Sequence, residues 1–161
     1  MKELYRIEKD FLGEKNIEIN KYYGIQTLRA KENFDITKTD ISLFPSFIKS
    51  LAKVKKACAI TNYELGDLTD IQKDAIVQAC NEIIDGKFHD QFIVDPIQGG
   101  AGTSTNMNAN EVIANRALEI LGYPKSSYDI IHPNNHINMS QSTNDVYPTA
   151  IKITLHELVF M

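Results

Sequence analysis

Apolar residues recur at three- and four-residue steps in four segments of this 161-residue sequence, and this spacing constrains the fold more than any other feature. Such a step places the apolar side chains along one face of an α-helix. The four segments begin near Pro45, Thr69, Met107 and Pro148. Only IEINKYYGI, residues 17–25, alternates as a strand would. The sequence therefore predicts a mainly α-helical chain with at most a short β-hairpin.

Local signals mark the ends of the first two helices. Pro45 can occupy the first position of a helix, and Gly66 can end it. Thr69 and Gln72 have the spacing of a capping box, and Gly86 follows the second apolar stripe. The lysines of the first helix are predicted to face solvent. The predicted buried stripes are Phe47, Ile48, Leu51, Val54 and Cys58 in the first helix, and Ile71, Ala75, Ala79 and Ile83 in the second.

Two long connections lie on either side of the third helix, which is predicted from Met107 to Leu121. Residues 86–106 precede it, and residues 123–147 join it to the fourth helix. Both connections exceed the ~12–15 residues beyond which loops are usually functional or disordered. Both also contain aromatic and branched apolar residues, which solvated linkers lack. We therefore predict two ordered, functional loops, each leading into a helix start.

Charge and hydropathy exclude several classes of protein. The 17 basic and 21 acidic residues give a net charge of −4, and no basic block is longer than residues 53–56, which argues against nucleic-acid binding. No apolar run approaches the ~20 residues of a membrane span. The charged start lacks the apolar core of an export signal. Cys58 and Cys80 occupy apolar helical positions, as reduced thiols of a cytoplasmic protein do.

The glycine-rich stretch QGGAGTSTN, residues 98–106, lacks the residues of a phosphate-binding loop. A P-loop has Lys and then Ser or Thr after its last glycine, whereas Gly102 is followed by Thr103. The third glycine of a dinucleotide fingerprint is also missing. His132 and His136 are four residues apart, but their segment is rich in Pro and Asn and offers no third ligand, so no metal site is predicted.

The two loops instead share small uncharged hydrogen-bond donors. Together with helix N-terminal N–H groups, hydroxyls and amides can surround a carboxylate that gains negative charge during a reaction. The same residues could simply cap the helices that follow, Thr105 or Asn106 at the third and one of residues 142–144 at the fourth, and composition alone favours capping. The donors are Thr103, Ser104, Thr105, Asn106 and Asn108 in the first loop, and Ser140, Gln141, Ser142, Thr143 and Asn144 in the second.

Three long motifs resemble the fumarase/aspartase superfamily: GGAGTSTNMNANEVIANRALEILG, HPNNHINMSQSTNDVYPTAIKI and, near the start, DFLGEKNIEINKYYGIQTLRAKENF. The resemblance implies the amino-terminal helical domain of that fold. YYGIQTLRAKENF and GAGTSTNMN are more similar to the aspartase branch than to fumarases. The implied reaction is anti elimination of ammonia from L-aspartate through an aci-carboxylate, giving fumarate without metal or organic cofactor. Class II fumarase activity, which hydrates fumarate to L-malate, is the alternative.

The resemblance also implies substrate-binding roles for residues of both loops. Thr103, Ser142 and Thr143 would bind the carboxylate that takes up the charge. Asn144, together with Thr103, would hold the departing amino group. These residues are therefore the predicted substrate-binding set.

A second anion site is implied for the HPNN stretch, with His132 and Asn134 as its residues. Asn135 stands where the family usually has Asp, which weakens the case for this site.

Family members are longer than this chain, and the resemblance places their serine base beyond Met161. No catalytic residue is therefore predicted here, and the 161 residues alone are expected to be inactive. Residues 1–139 are predicted to form the amino-terminal lyase domain, and residues 140–161 the second active-site loop and the start of a central helical bundle. The resemblance implies a homotetramer in which three subunits build each active site. An assembly module without activity, associating through the fourth helix, is a further alternative.

Overall fold

The computed structural model describes residues 4–160, which are mainly α-helical. The α-helices are α1 Ile25–Asn33, α2 Pro45–Glu64, α3 Asp70–Ile84, α4 Thr103–Ile120 and α5 Thr143–Phe160. An antiparallel hairpin precedes them, formed by β1 Tyr5–Asp10 and β2 Gly13–Glu18. Tyr5 lies opposite Glu18, and Asp10 lies opposite Gly13. A mainly helical chain with a short hairpin is what the sequence predicts.

Helices α2 and α3 pack against each other and lie close to their predicted boundaries. Pro45 lies in the first turn of α2. The Thr69 hydroxyl accepts a hydrogen bond from the Gln72 N–H at 3.3 Å, and the two residues form the predicted capping box. Ile71, predicted to be buried, is 66% exposed. Four residues turn an α-helix by about 400°, which is more than one full turn, so side chains spaced by four drift around the helix. As a result, Ile71 lies about 120° from Ile83 around the helix axis.

Lys55 of α2 contradicts the prediction that the lysines of this helix face solvent. Its side chain is fully buried, with 1% of its surface exposed. The buried arc of α2 is wide because the helix packs against α3 on one side and against α5 on the other. The thiols of Cys58 and Cys80 on these helices are free, with Cys80 buried and Cys58 half-buried.

Helix α4 lies at the centre of the fold and is buried along most of its length. It contacts α1, α3, α5 and the short π-helical turn Pro133–Ile137. It begins at Thr103, earlier than the predicted Met107. The preceding residue, Gly102, has φ of 90° and ends the loop there, so the hydroxyl residues that follow lie inside the helix.

Helix α5 begins at Thr143, whereas the sequence predicts a start at Pro148. Pro148 lies inside the helix. Its missing N–H removes the partner of the Asn144 carbonyl, close to the helix start, so the helix continues through it. No helix within residues 4–160 is long and apolar enough to cross a membrane. The helix buries Val146, Ala150 and Thr154 and exposes Leu155, Leu158 and Val159.

Helix α1 occupies a segment for which the sequence predicts no helix, and the predicted strand 17–25 is wrong beyond Glu18. The first turn of α1 has no local side-chain cap. The Glu111 carboxylate of α4 accepts the N–H groups of Gly24 at 2.8 Å and of Thr27 at 3.0 Å. The Glu8 carboxylate of β1 accepts the N–H of Ile25 at 2.9 Å. The start of α1 is therefore held by residues distant in sequence.

Candidate active site

The first predicted loop is fastened to the start of α4 by Gln98. Its Oε1 accepts the N–H of Thr105 at 2.9 Å, and its Nε2 donates to the Thr105 hydroxyl at 2.8 Å. This satisfies one of the free N–H groups that every helix start presents. Within residues 4–160, the N–H groups of Thr103 and Ser104 have no hydrogen-bond partner. The start of α4 therefore keeps backbone donors for a ligand.

The first loop and the first turns of α5 lie against each other at Gly102. A Cβ atom added to this glycine would lie 2.2 Å from Cδ2 of Tyr147, so the backbone and the ring are in direct contact. Its φ of 90° also favours glycine. A cavity of about 300 Å³ opens here, with Gly100 and Asn144 in its wall. The contact brings the starts of α4 and α5 close together.

Ser142 caps α5. Its hydroxyl oxygen accepts the N–H of Asn144 at 3.1 Å, and its own N–H donates to Oδ2 of Asp145 at 3.2 Å. The predicted capping role is therefore confirmed for Ser142. A hydroxyl that accepts one hydrogen bond still has a hydrogen to donate, so capping leaves the Ser142 hydroxyl able to bind a carboxylate.

Asn106 joins the two loops from inside the protein. Its side chain is buried, and its Nδ2 donates to the Thr143 hydroxyl at 3.3 Å and to Oδ1 of Asn138 at 2.9 Å. Because the Thr143 oxygen accepts this hydrogen bond, its own hydrogen is free to donate elsewhere. The half-buried Thr143 hydroxyl is thus oriented before any ligand binds.

The predicted substrate-binding residues lie at two neighbouring helix starts. Ser142, Thr143 and Asn144 are consecutive at the start of α5. Thr103 is the first residue of α4 and is exposed. It lines a separate cavity of about 520 Å³ with Ser104, whereas Asn144 lines the cavity beside Gly102. The geometry therefore brings the second-loop residues together and places Thr103 next to them, across Gly102.

Other donors of the first loop have structural roles. Thr105, Asn106 and Asn108 are buried inside α4, so the prediction that Thr105 or Asn106 caps this helix is wrong. Asn108 accepts the N–H of Ile93 at 3.0 Å and donates to the carbonyl oxygen of Gln91 at 3.0 Å. These side chains fix the path of the loop.

Sequence reasoning missed Lys55 and Asn138, which hold the second loop in place through hydrogen bonds. Oδ1 of Asn138 accepts from Lys55 Nζ at 2.8 Å and from Asn106 Nδ2 at 2.9 Å. The Asn138 amide donates to the carbonyl oxygen of Gln141 at 3.0 Å. A lysine in an amphipathic helix predicts a solvated face, so the local pattern gave no signal for its role.

The predicted second anion site lies in the earlier part of the second loop and lines a different cavity from Asn144. His132 and Asn134 line a cavity of about 670 Å³ together with the Glu111 carboxylate. Nδ1 of His132 accepts the N–H groups of Asn134 at 3.0 Å and Asn135 at 3.3 Å. Nδ1 of His136 accepts the N–H of His132 at 2.7 Å. Burial lowers the pKa of both imidazoles, that of His136 further through His132, and raises the pKa of Glu111 to about 7.

We expect the pKa of His132 to lie below its usual 6.5. Protonation of Nδ1 would break two backbone hydrogen bonds, so the folded state binds this proton more weakly than the unfolded state. Stability contributed by neutral His132 is present above the unfolded pKa and is lost as the pH falls through the folded pKa. An NMR titration of the ring Cε1–H measures the pKa, with the urea-unfolded chain as reference. A folded pKa above the unfolded one would contradict the assignment.

The family relationship follows from comparison with known proteins. A family described as lyase matches residues 13–160. The chain belongs to this lyase family. It is similar to the aspartate ammonia-lyase of Bacillus subtilis (strain 168), with 62% identity over 155 residues, which cover 96% of the chain and 32% of the relative. It is 60% identical over 152 residues to the aspartate ammonia-lyase of Helicobacter pylori (strain J99), covering 94% of the chain and 32% of the relative. The chain thus spans about a third of the length of these curated relatives.

Solved structures agree with the family assignment. The chain is similar to a fumarate lyase:delta crystallin from Brucella melitensis in native form, with a TM-score of 0.93 and 55% identity, covering 96% of the chain and 36% of that structure. A class II fumarase from Schistosoma mansoni gives a TM-score of 0.87 and 39% identity, covering 94% of the chain and 32% of that structure. The predicted fumarase/aspartase helical fold is confirmed.

Proposed function

We propose that this chain is the amino-terminal part of an aspartate ammonia-lyase, which converts L-aspartate reversibly to fumarate and ammonia. The observation that carries the proposal is the contact between the starts of α4 and α5 at Gly102, which places uncharged donors of both loops at neighbouring helix starts. The relatives named aspartate ammonia-lyase support the choice of substrate, because their identity of 60% and 62% exceeds the 39% of the class II fumarase.

The proposed chemistry explains why the donors are neutral. A base removes a proton from C3, and the electron pair moves onto the adjacent carboxylate, which becomes an aci-carboxylate with a second negative charge. The hydroxyls of Ser142 and Thr143 and the exposed Thr103 stabilise this charge, which is absent from the ground state. The pair then forms the C2–C3 double bond as the C2–N bond breaks. Asn144 and Thr103 hold the leaving amino group.

The remaining parts of the site belong to a longer polypeptide in this proposal. A serine there is the base, and the reaction needs no metal or organic cofactor. Residues 1–139 form the amino-terminal domain, and residues 140–161 lead into a central helical bundle. The exposed apolar residues of α5, Leu155, Leu158 and Val159, support packing against further helices. We propose that the longer polypeptide is a homotetramer and is cytoplasmic, and the free thiols of Cys58 and Cys80 support the cytoplasmic location.

A paired assay tests the proposal. We expect the longer polypeptide that contains this chain to release fumarate from L-aspartate, with one ammonia for each fumarate, and to leave L-malate unchanged. Fumarate absorbance and ammonia release measure both products. Fumarate from L-malate alone would assign a class II fumarase instead, and turnover of neither substrate would favour an assembly role.

A further inference from the structure

Lys55 is a buried cation whose nearest polar partners are amides. Its Nζ donates to Oδ1 of Asn138 at 2.8 Å and to Oε1 of Gln141 at 2.9 Å. Within residues 4–160 it forms no salt bridge with a carboxylate. The titratable groups facing it are the Cys58 and Cys80 thiols. Burial raises the pKa of both thiols, so neither supplies a negative charge at neutral pH.

The burial of Lys55 among neutral groups costs free energy on folding. Removing an ammonium from water is unfavourable unless a partner compensates, and neutral amide oxygens compensate only in part. Burial lowers the pKa of Lys55 to about 7, as this cost requires. An apolar side chain of similar length would avoid the cost of burying the ammonium, although it would leave Oε1 of Gln141 without its donor. The position of Lys55 therefore calls for a role other than stability.

The hydrogen bonds of Lys55 lead to the second loop. Gln141 donates its Nε2 to the carbonyl oxygens of Ile137 at 2.9 Å and Met139 at 3.0 Å, so the residue fixes the loop backbone just before Ser142. Asn138 Oδ1 also accepts from Asn106, whose amide reaches the Thr143 hydroxyl. The Lys55 ammonium thus holds both Asn138 and Gln141, the two residues that fix the segment leading into α5.

We propose that Lys55 is a positioning residue of the active site: its ammonium holds Asn138 and Gln141, and through them the segment that presents Ser142 and Thr143 to the substrate carboxylate. This role rests on the proposed function, since the segment is a substrate-binding loop only in that account. Lys55 itself is fully buried and acts on the substrate only through the loop. It draws amide oxygens inward, so that the loop is fixed before substrate binds.

The test uses Lys55→Met in the longer polypeptide, with Lys56→Met as matched control. Lys56 is the next residue of α2, and its ammonium instead contacts Oδ1 of Asn81 on α3 at 2.8 Å. We expect Lys55→Met to lower kcat for L-aspartate by about 10²-fold with little change in KM, because a displaced loop loses transition-state contacts. Lys56→Met should retain the wild-type kcat.

Hydrogen exchange gives a readout that does not depend on activity. Followed by mass spectrometry, the backbone amides of residues 138–144 should exchange faster in Lys55→Met than in the wild type and in Lys56→Met. Wild-type kcat together with wild-type exchange in Lys55→Met would overturn the proposal. If the wild type does not act on L-aspartate, the proposed function fails, whereas the exchange comparison still decides whether Lys55 holds the loop.

A second variant covers the case in which Lys55→Met does not fold. Gln141→Met replaces a half-buried residue of the loop, removes one acceptor of the Lys55 ammonium and leaves the lysine in place. Faster exchange in residues 138–144 with a lower kcat would support the positioning role. Wild-type values for both quantities would overturn it.

Discussion

The Thr143→Val variant of the longer polypeptide is expected to lose about 10²–10³-fold in kcat for L-aspartate, the effect of removing one preorganised donor from an oxyanion site. Valine keeps the shape of the side chain and removes the hydroxyl. That hydroxyl accepts from Asn106 at 3.3 Å, so its hydrogen is available to the charge that develops on the carboxylate. Asn144→Ala is expected to cause a loss of similar size, because in the proposed mechanism its exposed amide holds the leaving group. Steady-state fumarate release measures both.

Thr149→Val is the matched control for Thr143→Val. Thr149 lies on the same helix and is exposed, so its substitution removes a hydroxyl without touching the candidate site. The control should keep the wild-type kcat. Wild-type kinetics in both Thr143→Val and Asn144→Ala would mean that the residues at this helix start serve only as caps.

The Gly102→Ala variant is expected to lose both stability and activity. A left-handed φ of 90° costs a residue other than glycine about 1–3 kcal/mol. The added methyl would also lie 2.2 Å from the Tyr147 ring, and such overpacking costs about 1–3 kcal/mol more. Because the clash separates the starts of α4 and α5, kcat should fall as well. Thermal melting and the fumarate assay measure the two effects.

Gly122→Ala separates the backbone effect from the clash. Gly122 has φ of 79°, and a Cβ atom there would meet nothing within 4 Å. This control should lose stability only through its backbone and should keep its activity. In the double variant Gly102→Ala/Tyr147→Ala, the steric part of the loss should be relieved. If Gly102→Ala and Gly122→Ala had the same melting temperature and the same kcat, the contact between the two helix starts would not contribute to activity.

Helix boundaries could be predicted from the sequence where the signals are local. The capping box of α3 joins Thr69 to Gln72, three residues away, and it is formed as predicted. The start of α1 could not be predicted, because the group that holds Gly24 is the Glu111 carboxylate, 87 residues away. For α4, Gln98 caps the helix from seven residues upstream of Thr105, outside any local capping pattern.

The sequence could predict the residues at the surface of the candidate site, but not the residues that hold them in place. Ser142 and Thr143 belong to a recognisable motif and lie at a helix start, next to the first loop. The apolar spacing of α2 predicts a solvated face for Lys55, because such spacing describes a single buried side, whereas α2 has neighbours on two sides. Asn138 carries no pattern of its own. Its importance comes from the three side chains that meet at its oxygen.

The most direct measurement compares the affinities of two ligands for the longer polypeptide. One is L-aspartate, and the other is its analogue with an ionised nitro group in place of the carboxylate beside C3. Loss of the C3 proton gives a nitronate, whose planar carbon and two negatively charged oxygens copy those of the aci-carboxylate. We predict that the wild type binds the nitronate at least about 10²-fold more tightly than L-aspartate, as transition-state analogues bind, and that Thr143→Val loses most of this preference. Equal affinity of the wild type for the two ligands would contradict the claim that neutral donors at these helix starts stabilise the developing charge.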